Sequence, residues 1–180
     1  MSRYSRFPIA AALALPLLAA SPRSPADEAG VLNVGGSFAM KVIRQENVPV
    51  VDMPGHALIL GEARGLNHST GRDVYMDGAE VWSGETGDLM NGSGSNGGHL
   101  VLTFRGDTVH TCWSGQVSTT AGPDGRPVIE LEGTWVVVQA MGKYRQASGQ
   151  GTYRGRFTGP GEYAVEWQGS ITLPEIRASR

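Results

Sequence analysis

From Gly133 to Gly169, apolar and polar positions alternate in three extended runs separated by glycines. The runs are Thr134–Val138, Thr152–Phe157 and Tyr163–Gln168. In the last two, Tyr153 and Phe157, then Tyr163 and Trp167, fall on one parity, while Arg154, Arg156, Glu166 and Gln168 fall on the other. Successive side chains of a strand point to opposite faces, so this pattern gives one aromatic and one polar face. Antiparallel strands that are apolar inside and polar outside build a barrel or sandwich wall.

The same reading extends upstream. Val31–Val34 and Ser37–Arg44 form a first strand broken by a Gly35-Gly36 bulge or bend. Ala57–Leu66 and Arg72–Trp82 form the second and third. Gly84–Gly98 reads as a polar, glycine-rich rim loop. His99–Arg105 and Thr108–Thr119 make a hairpin around Gly106-Asp107. Val128–Gln139, Gly151–Thr158 and Tyr163–Leu173 complete about eight strands. Pro174 onward is a polar tail with room for one helical turn. No sustained helical periodicity interrupts the series. Many short strands with glycine-rich turns predict an all-β barrel or sandwich, and about eight antiparallel strands are enough to close a small single barrel. A barrel of that strand number is either filled by side chains or holds one small ligand.

The run Gly142-Lys143-Tyr144, Ala147-Ser148-Gly149-Gln150-Gly151-Thr152-Tyr153-Arg154-Gly155 and Trp167-Gln168-Gly169 resembles the C-terminal signature of the allene oxide cyclase barrel superfamily. That group includes the plant dirigent proteins and bacterial barrels. The first glycine of its Gly-x-Gly-x-Tyr element is Ala140 here. The resemblance implies an eight-stranded antiparallel barrel around an apolar cavity and carries no catalytic residue over. A Gly-x-Trp element, Gly133-Thr134-Trp135, is similar to one in lipocalin- and avidin-like barrels. Those carry it near the N-terminus, and here it lies in the C-terminal half.

The amino terminus follows different rules. Arg3 and Arg6 precede an apolar run, Phe7–Ala20, of signal-peptide length, interrupted by Pro8 and Pro16 and short for a membrane span. Residues 1–26 are expected to be a leader, cleaved after Ala20 or Ala26, and 27–180 the barrel domain. The expected location is outside the cytoplasm, in a periplasm or secreted, and bacterial in style. Of 15 basic and 17 acidic residues, Arg3, Arg6 and Arg23 leave with the leader. The remainder holds 12 against 17, a net charge of −5. An acidic surface argues against nucleic acid or an anionic membrane as partner. Cys112 is the single cysteine, so no intrachain disulfide forms.

Parity anchored on the aromatics assigns an interior. Phe104, Thr111, Trp113, Trp135, Tyr153, Phe157, Tyr163 and Trp167 are its candidate ligand-cavity residues. Apolar walls with indole, phenol and hydroxyl donors suit a small hydrophobic or aromatic molecule. Filling of the lumen by these same side chains is the alternative. Glu62 shares parity with Leu58 and Leu60, and Glu80 with Val74, Met76 and Trp82. Pointing inward, either carboxylate would have a raised pKa and could act as general acid or base. A bulge that reverses register would leave them in solvent. His110, Cys112 and Ser114 share the face opposite Trp113, which directs them outward and away from nucleophilic catalysis. His56, His68, His99 and His110 lack metal-ligand spacing, and no cofactor is expected. The expected function is ligand binding in an exported barrel. The alternatives are a cofactor-free isomerase or cyclase, or a structural, self-associating barrel.

Overall fold

The computed structural model describes residues 30–51 and 53–174. The leader and its two cleavage positions lie outside the described residues, as does the tail after Pro174. The described chain is a closed antiparallel barrel in meander order. Its strands are β1 (Val31–Pro49), β2 (His56–Ser69), β3 (Glu80–Met90), β4 (Ser93–Phe104), β5 (Asp107–Ala121), β6 (Pro127–Met141), β7 (Ser148–Gly159) and β8 (Glu162–Thr172). Closure is made by β1 against β8, from Val31↔Thr172 to Lys41↔Glu162. A closed ladder leaves no unpaired edge.

Several boundaries differ from the sequence reading. Gly35 and Gly36 stay in the regular ladder opposite Gln168 and Trp167. The β1 irregularity falls instead between Val42 and Arg44. The third strand begins at Glu80, not Arg72, and residues 70–79 form a connection in which Tyr75 and Met76 are buried. The stretch Gly84–Gly98 is not a loop. It forms most of β3 and the start of β4, joined by a tight turn at Asn91 and Gly92 with φ of 52° and 80°. Two successive positive φ values are the Asn-Gly hairpin geometry, whose twist matches that of the flanking strands.

The two ends of the barrel are unlike. At the end where β1 starts and β2 finishes, the 70–79 connection folds inward as a plug. Asn67, 2% exposed, holds it there. Its side-chain amide donates to the carbonyls of Tyr75 (3.0 Å) and Met76 (2.8 Å) and accepts from the Trp167 indole N–H (3.2 Å). Tyr75 packs edge-on to Tyr144, 5.1 Å between centroids, from the short 3-10 turn Gly142–Tyr144. Val34, Ala79, Val109 and Ile171 are buried with them.

Large rings occupy the wall where glycines make room. A Cβ on Gly151 or Gly169 would stand 2.5 or 2.6 Å from Trp135 Cζ2, and one on Gly36 would stand 2.8 Å from Trp167 Cζ2. Each indole therefore lies close against backbone on neighbouring strands. Phe38 stacks on Trp167 at 5.7 Å, and Trp135 meets Trp167 edge-on at 6.1 Å.

Trp167 is 7% exposed while the neighbouring Glu166 faces solvent beside Arg154. Trp167→Ala should lower stability by about 3–5 kcal/mol, as large-to-small core changes do. Glu166→Ala should lower it by less than about 1 kcal/mol, because it removes an exposed ion pair. Chemical denaturation of both variants checks this, and equal losses would contradict the orientation.

Candidate functional site

Above the Tyr75–Trp167 floor, the lumen is hollow. A cavity of about 380 Å³ reaches toward the end formed by the β1–β2, β3–β4, β5–β6 and β7–β8 turns. That volume lies within the range of small-molecule sites. Of the residues that parity assigned inward, Thr111, Trp113, Trp135, Tyr153, Phe157, Tyr163 and Trp167 line it. Phe104 does not. It lies at the plugged end, packed against the buried core with the Arg105 guanidinium 4.9 Å from its ring centroid. Toward the open end the lining includes Gln45, Ile59, Leu89, Asn96, Val117 and Thr119.

Glu62 and Glu80 do not reach the lumen. On β2 the inward row is Ile59, Gly61, Ala63, Gly65 and Asn67. The leucines that share parity with Glu62 face out, Leu58 at 44% and Leu60 at 53% exposure. An apolar row marked this face, but it is the outer one. The inner row is small because the side chains of β1 and β3 fill the space above it: Met40 Sδ would stand 2.6 Å from a Cβ on Gly65. Glu80 is exposed on the outer wall beside Arg64, Leu66 and Trp82. Val74 is 77% exposed in the connection, so the continuous strand that linked it to Glu80 does not exist.

The inward carboxylate is Glu85, in the stretch read as a loop. Val81, Ser83, Glu85, Gly87 and Leu89 form the inner row of β3. Across the lumen, the Tyr163 hydroxyl of β8 donates a hydrogen bond to Glu85 Oε1. Small residues on intervening β2 leave this path open. The legible signal was Asn91-Gly92, a hairpin dipeptide that converts the flanking polar run into two paired strands.

Burial pushes the Glu85 carboxyl above the ordinary carboxylate range, and hydrogen bonds from Tyr163 and Ser83 offset part of that rise. Burial also raises the Tyr163 phenol, as do the Glu85 charge, the bond to it and Tyr153. Tyr153 is raised by burial and then by Glu85. The phenols stay protonated and act as hydrogen-bond donors. An apolar chamber thus holds one carboxyl able to take or give a proton, clamped by a phenol.

The outer wall carries the other candidates. Cys112 Sγ lies 3.3 Å from His99 Nδ1, its cross-strand partner, rather than against His110. The pair faces away from the cavity, as does Ser114.

Chains of known structure with a similar fold include the pterocarpan synthase dirigent proteins PsPTS1 and GePTS1. The first shares 11% identity over 81% of this chain and 96% of its own, with a TM-score of 0.43. The second shares 13% over 81% and 89%, with a TM-score of 0.42. No protein-family model matches the sequence, and no curated protein matches it. The architecture itself, a closed eight-stranded antiparallel barrel, is plain from its own ladder.

The raised Glu85 carboxyl fixes a pH dependence. A group protonated more readily in the folded state adds stability that is complete below its ordinary value and lost as pH rises through its raised one. Stability should therefore fall with rising pH across that window, and Glu85→Gln should flatten the fall. Denaturation midpoints of both proteins from acid to neutral pH measure it. An unchanged slope in the variant would refute the burial of this charge.

Proposed function

We propose that the protein binds a small hydrophobic or aromatic molecule inside its barrel. The observation that carries this reading is the hollow, aromatic-walled lumen of about 380 Å³, closed below by the Tyr75 plug and open at the opposite end. Hiding roughly 250 Å² of ligand surface would contribute about 6 kcal/mol before entropic losses, which points to micromolar affinity. The apolar walls and the carboxyl disfavour sugars and nucleotides. Titration with lipophilic and aromatic compounds should quench tryptophan fluorescence saturably, with the response reduced in Trp135→Phe. Absence of saturation below about 1 mM, near 4 kcal/mol of binding, would overturn the reading.

A second reading is favoured by Glu85. Burial and the Tyr163 bond suit its carboxyl to moving a proton within a bound substrate, as a cofactor-free isomerase or cyclase requires. In the same titrations Glu85→Gln should still bind the ligand. Conversion of a bound compound by the native protein and not by Glu85→Gln would select the enzyme. Recovery of unchanged ligand from both selects the binder.

We further propose that the protein acts outside the cytoplasm. Arg3, Arg6 and the apolar run Phe7–Ala20 support export. Intact mass of protein recovered from producing cells should correspond to a chain beginning at Ser21 or Asp27. Full-length protein in the cytoplasm would contradict export.

A further inference from the structure

Glu85 is an acid in the lumen that has no cation beside it. It stands in the inner row of β3, keeps part of its surface open and lines the cavity. Its hydrogen-bond partners are hydroxyls, those of Tyr163 and Ser83. Oε2 lies toward Gly61 of β2, 4.0 Å from a Cβ built there, and a glycine offers it no side-chain partner. Among the described residues, no lysine, arginine or histidine lines the chamber and none pairs with Glu85. Acidic side chains are seldom buried without a partner of opposite charge. The missing charge has to come from what enters the cavity.

The walls suit a cation as well. The Tyr163 and Phe157 rings lie 5.3 Å apart, and Tyr153 is near enough to respond to the Glu85 charge. All three residues line the cavity. Ring faces attract cations, and more strongly away from water. An anionic ligand would meet Glu85 with nothing to neutralise either charge. An alcohol could bond to the carboxylate but would leave its charge uncompensated. A protonated amine donates hydrogen bonds and supplies the opposite charge together. A buried ion pair recovers its desolvation cost only when further hydrogen bonds complete it. Tyr163 and Ser83 already provide these to the carboxylate.

We propose that the ligand is an apolar or aromatic amine whose protonated nitrogen pairs with Glu85 while its hydrocarbon body fills the lumen. This rests on the binding function proposed above and narrows it to a chemical class. Removing the Glu85 charge leaves the chamber for the apolar body and takes away the extra affinity for the amine.

Calorimetric titration at neutral pH with three probes of one skeleton tests it: phenethylamine, which is protonated there, phenethyl alcohol and propylbenzene. The native protein should bind the amine on the order of tenfold tighter than the alcohol, the worth of a hydrogen bond to a charged group. Glu85→Gln should erase that preference, read as the ratio of the two affinities within the variant. Tyr163→Phe keeps the carboxylate and frees Oε1, and it should retain the preference. Equal binding of amine and alcohol by the native protein, with propylbenzene bound, would overturn the amine inference and leave the binding function standing. A preference that persists in Glu85→Gln, or one that disappears in Tyr163→Phe, would also overturn it. Failure of all three probes to bind would remove the binding function together with the inference.

Discussion

The barrel depends on fitting large rings against bare backbone. Trp135 and Trp167 lie where Gly151, Gly169 and Gly36 remove a Cβ, and the Tyr153 hydroxyl rests over Gly115 and Gly133. A ring pressed to the wall covers ladder hydrogen bonds and buries apolar surface without projecting to the barrel axis. The same arrangement explains why the lumen is hollow. With these rings flattened against the sheet, the interior side chains leave a chamber of about 380 Å³. Wall packing and cavity thus have one cause.

One end of the tube is closed by hydrogen bonding rather than by bulk alone. Asn67 binds two carbonyls of the 70–79 connection and the Trp167 indole. A buried amide with its partners met specifies a single arrangement of that plug. The chamber above is floored by aromatics, and its acid, Glu85, is held by the Tyr163 hydroxyl. Burial raises the Glu85 carboxyl above the ordinary carboxylate range, and its hydrogen bonds offset part of that rise.

Much of the fold was legible because period-2 alternation is strong where one face is aromatic. Trp113, Trp135, Tyr153, Phe157, Tyr163 and Trp167 share the lumen as their parity implied. Legibility failed where polarity ceased to mark the faces. On β2 the outer row is leucine and the inner row glycine and alanine, so Glu62 looked buried beside Leu58 and Leu60 while facing solvent. On β3 and β4, glycine and serine residues concealed two paired strands, and Glu85 with them. Alternation locates faces but does not say which is inner. Only closure of the ladder decides that, and closure is a property of all eight strands.

The central claim is that these walls enclose an empty apolar chamber rather than a filled core. Diffraction from crystals pressurised with xenon tests it most directly, because xenon enters dry apolar cavities and scatters strongly. The account predicts xenon inside the barrel, between the Trp135–Trp167 floor and Leu131, Phe157 and Leu89 nearer the mouth. Crystals with no xenon in the lumen, and with interior side chains in contact across the barrel axis, would contradict it.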